Sequence, residues 1–195
     1  MFREPLATVV ALTVLSLAPA GAQEVTDYLG VPGPISIGGN DYVLSWSSNP
    51  QPGYFKQEYI PAGADAQAYE TMVLVEFLAS DLPMAEVISA QTDMINQRKA
   101  TDPIANMAMF SNPERGEIVL DFLLSDKDDA GEYIIEWNGY RYGQAQFEGE
   151  DGVLLFGLSD RAYGNDDAET FLRGLGDFKT QRILALTTAE MPEVE

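Results

Sequence analysis

Residues 117–142 read EIVLDFLLSDKDDAGEYIIEWNGYRY, two runs of period two separated by a polar break. In the first, Ile118, Leu120, Phe122 and Leu124 fall on one face of an extended chain. In the second, Tyr133, Ile135 and Trp137 share a face and Glu132, Glu136 and Asn138 lie opposite. That is the alternation of half-buried strands. Asp126 to Gly131 supplies the hairpin turn between them, so the pair is antiparallel. Downstream, Glu148 to Gly152 turns the chain again and Val153 to Leu158 reads as a buried strand. Upstream, Ile104 to Phe110 reads as another strand, closed by Asn112-Pro113 and Gly116.

Further out, the period changes. Met84, Val87, Ile88, Gln91, Met94 and Ile95 recur at helical spacing, with Asp81 as N-cap, Pro83 in the first turn and Arg98 and Lys99 in the last. Thr71 to Leu78 is almost wholly apolar and reads as a central strand covered on both sides. Tyr54 to Ile60 alternates, with Phe55 and Tyr59 facing away from Lys56 and Glu58. Ile35 to Ile37 and Tyr42 to Trp46 form an early hairpin about Gly38-Gly39-Asn40-Asp41, and Ser47 to Gly53 reads as loop. At the other end, Ala168, Phe171, Leu172 and Leu175 form one side of a helix capped by Asn165 or Asp166, with Asp166 and Glu169 resembling a capping box. Gly174 and Gly176 are expected to interrupt it before Phe178 to Leu186 resumes. The expected fold is α+β: a single, mainly antiparallel sheet with a mid-chain helix and a C-terminal helix packed on it.

The first 22 residues read as a secretory signal peptide. A short n-region with Arg3 precedes an apolar run from Leu6 to Leu17 and the small residues Ala20-Gly21-Ala22, so cleavage is expected before Gln23. The run falls short of the roughly 20 apolar residues of a spanning helix. Cleavage removes Arg3 and Glu4 together and leaves the formal charge at −20. Residues 23–34 then form a loose lead-in, 35–188 one domain, and 189–195 an acidic, frayed tail. With no Cys and no Asn-x-Ser/Thr sequon, a bacterial periplasmic or secreted location is expected.

The order early hairpin, two strands, helix, further strands, C-terminal helix, behind a signal peptide, resembles the PsbP-like fold. That fold occurs in photosystem accessory proteins and some bacterial periplasmic proteins. The resemblance runs over about residues 35–188 and rests on element order, without a shared motif. It implies a binding or assembly-accessory role rather than catalysis.

Absent residue types restrict the chemistry. Of 195 residues none is Cys or His, which removes thiol nucleophiles, the Ser-His dyad and the HExxH zinc site. Thirty-one acidic against eleven basic side chains exclude direct binding to nucleic acid phosphates. Asp126-Lys127-Asp128-Asp129 departs from an EF-hand, whose later ligand positions hold Ala130 and Trp137, and reads better as a solvated turn. Glu117 with Asp121, or Glu132 with Glu136, share strand faces. At i, i+4 in an extended chain they stand about 13 Å apart, too far for a glycosidase pair. No cofactor and no metal is expected.

Trp137-Asn138-Gly139-Tyr140-Arg141-Tyr142 concentrates the residue types that dominate binding hot spots. Tyr140, Arg141 and Tyr142 are the candidate partner-binding residues. Tyr140 and Tyr142 fall on one face and Trp137 and Arg141 on the other; the plainer reading makes Trp137 core and both Tyr ordinary strand residues. The expected function is a non-enzymatic periplasmic or secreted binding or accessory domain, whose partner is a protein, a peptide or an envelope component. The alternatives are a carboxylate-dependent hydrolase of envelope polysaccharide and an acidic calcium-binding domain.

Overall fold

A computed structural model describes residues 25–195, so the expected signal peptide lies outside the described residues. The chain forms strands β1 (Ile35–Ile37), β2 (Asn40–Gln51), β3 (Tyr54–Pro61) and β4 (Thr71–Ala79), then helix α1 (Met84–Arg98). Strands β5 (Asn106–Asn112), β6 (Glu117–Lys127), β7 (Tyr133–Phe147) and β8 (Glu150–Tyr163) follow, and helix α2 (Asn165–Thr188) completes the order. All eight strands make one antiparallel sheet in the order β1-β2-β3-β4-β8-β7-β6-β5. The α+β class read from sequence is therefore the observed one. No helix among the described residues is long and apolar enough to cross a membrane.

The topology follows from connection lengths. Within strands 1–4 and within strands 5–8 each strand pairs with the next, through tight turns or, between β3 and β4, through residues 62–70, so each set is a meander, and α1 carries the chain from β4 to the far edge. The β7–β8 hairpin closes on Glu148 and Gly149, both at positive φ, 51° and 84°. A two-residue loop of that kind matches the twist of the strands it joins.

Alternation then sorts side chains onto two faces. Val73, Val75 and Phe77 of β4 join Leu123, Ile135, Trp137, Phe156 and Leu158 beneath α2. Met72 and Leu74 join Leu120, Phe122, Leu124, Tyr142 and Leu155 on the α1 face, with Ile88 and Ile95 of the helix. Helix α2 covers β7 and β8 on this face. Beyond the helix, the lead-in lies over β2 and β3: buried Gln57 accepts the amides of Tyr28 (2.6 Å) and Leu29 (3.0 Å), and Leu29 is fully buried. Met191 and Val194 of the tail also pack into this layer, and the Glu195 amide donates to the Leu29 carbonyl at 3.1 Å. Neither segment is the loose end its composition suggests, because each supplies apolar cover that α2 does not reach.

Other local expectations give way for identifiable reasons. Strand β2 continues through Ser47–Gln51 instead of looping, and a register shift between Ser48 and Gln51 accommodates Pro50. The short β1 pairs only with Asn40 to Tyr42, so the rest of that β2 edge is free and a proline removes no ladder bond there. At the start of α1, Pro83 is the N-cap and Asp81 makes no cap bond; Ser80 Oγ instead accepts the Leu82 amide. At α2 the N-cap is Gly164 at φ 85°, and Asn165 Oδ1 accepts the Tyr133 amide, tying the helix start to β7. Helix α2 runs unbroken through Gly174 and Gly176. Its two ion pairs to the sheet, Lys179 to Asp121 at 2.6 Å and Arg182 to Asp160 at 2.5 Å, follow those glycines directly.

Candidate functional site

The two faces differ in how far they are covered. Helix α1 has 15 residues, about 22 Å of length and about 10 Å of width. It packs over β5, β6 and β7. The α1 side of β3, β4 and β8 is left without a helix, and a half-open cleft of about 1210 Å³ lies there between sheet and helix.

Its floor is built from alternate residues of four strands. Tyr54, Lys56 and Glu58 come from β3, Leu74 and Glu76 from β4, Leu155, Ser159 and Arg161 from β8, and Glu136, Tyr140 and Tyr142 from β7. Val87, Ala90 and Met94 of α1 form an apolar wall, and Leu82 stands exposed at the rim. Gly157 makes room on the floor: a Cβ there would lie 2.9 Å from the Tyr140 ring.

Most of the polar floor is tied up internally. The Tyr54 hydroxyl donates to Glu76 at 2.6 Å, and Lys56 pairs with the same carboxylate at 3.3 Å. Glu136 accepts from the Tyr69 hydroxyl (2.6 Å), Arg161 Nε (2.6 Å) and Asn138 Nδ2 (3.1 Å). The Arg161 guanidinium lies 4.2 Å from the Tyr69 ring centroid. Ser159 donates to Asn138 Oδ1 at 2.5 Å. Burial, reinforced by the adjacent glutamates, pushes the Tyr54, Tyr69 and Tyr140 phenols far above their ordinary value. All three stay neutral, and Tyr54 and Tyr69 donate to Glu76 and Glu136. Glu58 is held above the usual carboxylate range, chiefly by burial, with Glu76 and Glu136 opposing ionisation and Lys56 and Arg161 favouring it.

The residues singled out from sequence divide between the faces as their alternation implies. Tyr140 and Tyr142 lie in the cleft, with Tyr140 edge-on to Phe122 at 4.9 Å between ring centroids. Arg141 lies on the opposite face, 2% exposed. It forms a two-pronged pair with Glu117 (Nε 3.0 Å, Nη2 2.6 Å), and its Nη1 donates to the carbonyls of Leu186 (3.2 Å) and Ala189 (2.8 Å). It thus caps the carboxyl end of α2. Trp137 is core, 1% exposed, with its indole N–H on Asp121 at 2.7 Å. Both acids of the Glu117/Asp121 pair are thereby engaged on the α2 face; of Glu132 and Glu136, only Glu136 lines the cleft. In the 126–131 turn, Asp128 Oδ1 accepts the Ala130 and Glu132 amides, each at 2.9 Å. No three metal-ligating side chains gather among the described residues.

Sequence reasoning did not find Glu58, Glu76, Lys56 and Arg161 as a group. They lie on three strands far apart in the chain, and register alone unites them: Lys56 opposite Glu76, and Glu136 opposite Arg161. The available signal was charge at alternate positions of strands otherwise apolar enough to be central.

Fold and cleft define a class: a one-sheet α+β domain with a long helix packed on one face and a half-open cleft on the other. Within that class the chain belongs to an uncharacterised protein family, whose model matches residues 29–191. The matched range starts at the buried Leu29 and ends at Met191, which packs against Gly143. No curated protein and no solved structure matches the chain.

Proposed function

We propose that this protein is a non-enzymatic binding or accessory domain, periplasmic or secreted, which holds its partner or ligand in the cleft on the α1 face. The observation that carries the reading is the cleft itself. Apolar walls supply contact area, and a few fixed polar groups on a rigid sheet supply orientation, the usual make-up of a binding pocket. Tyr140 and Tyr142 belong to this surface. Arg141 is engaged on the other face and contributes through the fold. The absence of His and Cys from the whole sequence supports a non-catalytic role. Element order supports an accessory role of the PsbP-like kind, and that order is its only support. The apolar run and Ala20-Gly21-Ala22 support export. In cells, a photocrosslinker at rim residue Leu82 should capture one envelope component that the same group at Leu184, exposed on α2, does not. Equal recovery from both positions would count against the cleft.

One observation favours a second reading. Glu58 shares the floor with Glu76 and Glu136, and carboxyl groups brought together from neighbouring strands in a cleft are what glycoside hydrolysis requires. Turnover on a panel of envelope glycans, abolished by Glu58→Gln, would establish it. An inert panel would remove it.

A further inference from the structure

We infer that the cleft takes an apolar molecule carrying one ammonium group, with that group seated between Glu58 and the Trp46 ring. This rests on the cleft being the binding site, and adds the chemistry of what enters. The floor carries three carboxylates, Glu58, Glu76 and Glu136, against two cations, Lys56 and Arg161. Each cation is already committed, Lys56 to Glu76 and Arg161 to Glu136. Tyr54 completes the first pair, and Tyr69 and Asn138 the second. Glu58 alone among them has no ion pair and no hydrogen-bond partner among the described residues.

Its surroundings fit a cation. Trp46 on β2 stands directly opposite Glu58 across the β2–β3 ladder, and both line the cleft. An aromatic face next to a carboxylate is the arrangement that holds an ammonium or quaternary ammonium ion. On the other side of Glu58 the floor becomes Leu74, then Gly157 with the Tyr140 ring across it. Beyond stand Met94 and Val87 of α1. An alkyl or aromatic body therefore has apolar surface to follow once its charged end is placed. Burial disfavours the charge on Glu58, a cost that an incoming cation offsets. Arg98 and Lys127 also line the cleft, but Arg98 is paired with Asp102 and Asp126 and Lys127 lies over the Tyr133 ring, so an anionic head group beside Glu58 finds no free cation there and meets a chain of formal charge −20.

The test is calorimetric titration of the purified protein with three ligands of one chain length, dodecyltrimethylammonium and dodecanoate below their micelle concentrations and dodecanol below its solubility limit. The cation should bind about tenfold tighter than the alcohol. Glu58→Gln should bring the two together, and Trp46→Leu should weaken the cation more than the alcohol, with thermal midpoints little changed. Equal binding of all three would overturn the ammonium assignment and leave the cleft standing. A preference for the cation that survives Glu58→Gln would also overturn it, since diffuse attraction to an acidic chain would then be the cause. No binding by any of the three would overturn this inference and the cleft reading together.

Discussion

Arg141 and Tyr142 are neighbours in sequence and serve opposite faces of the sheet. Arg141 holds Glu117 and the last carbonyls of α2 from a position 2% exposed. Removing it strands a half-buried carboxylate and two carbonyls. Arg141→Ala should therefore cost about 3–5 kcal/mol in urea unfolding. Tyr142 is nearly as buried, at 4%, and it packs in the apolar layer of the α1 face. Tyr142→Phe should change stability by no more than about 0.5 kcal/mol. A larger loss in the second than in the first would reverse these roles. Gly139 is a third kind of residue-scale constraint. A Cβ there would lie 2.8 Å from the Trp137 ring, beneath α2, so the glycine is what lets the indole lie flat enough to reach Asp121.

At the scale of elements, α2 and β5 carry opposite liabilities. Gly174 and Gly176 sit inside a continuous helix with open space around them. Either changed to Ala should stabilise the protein by up to about 1 kcal/mol, read from the thermal midpoint. Strand β5 is the sheet's outer edge, reads NMAMFSN without a charge or proline, and exposes Met109 at 59% and Phe110 at 53%. Edges of that kind invite pairing with other chains. Met109→Lys should raise the concentration at which heated protein aggregates and leave the thermal midpoint unchanged, as light scattering during a thermal ramp would record. The strands and helices themselves were legible in the sequence because period and turn residues are local signals. Ile118 to Leu124 and Tyr133 to Trp137 show the sheet alternation directly. Caps were misread at Asp81 and Asp166: neither helix start has a side-chain cap bond, Pro83 and Gly164 hold the N-cap positions, and Asn165 serves β7 instead. The cleft was not legible, since Glu58, Glu76 and Arg161 meet only through strand order, and that order depends on α1 crossing to the far edge.

For the molecule as a whole, acidity sets the response to pH. Asp160 is raised to about 6, mainly by burial, with its partner Arg182 pulling the other way. A carboxyl whose folded value lies above its unfolded one stabilises fully below about pH 4 and loses that contribution as pH rises through about 6. Glu58 acts in the same direction. Asp102 opposes them. Burial alone would raise it, but the Ser125 amide (2.6 Å) and hydroxyl (2.7 Å) and the Ile104 amide (3.0 Å) hold it low. Its contribution is present above the unfolded value and vanishes as pH falls through the folded one. The thermal midpoint should therefore peak near pH 4, decline as pH rises from about 4 to about 6, and level off above that. Asp160→Asn should flatten that decline; a midpoint that rises between about pH 4 and 6 would contradict the assignment. A separate consequence belongs to the contact between Glu195 and the Leu29 carbonyl, on the face away from the cleft. Since the fold brings Leu29 and Glu195 together, these two positions can be joined by a short peptide and the backbone reopened elsewhere. A circular permutant cut in the exposed Asp128–Gly131 turn should reach the same eight-stranded sheet, with new termini as convenient points of attachment and the cleft left unobstructed.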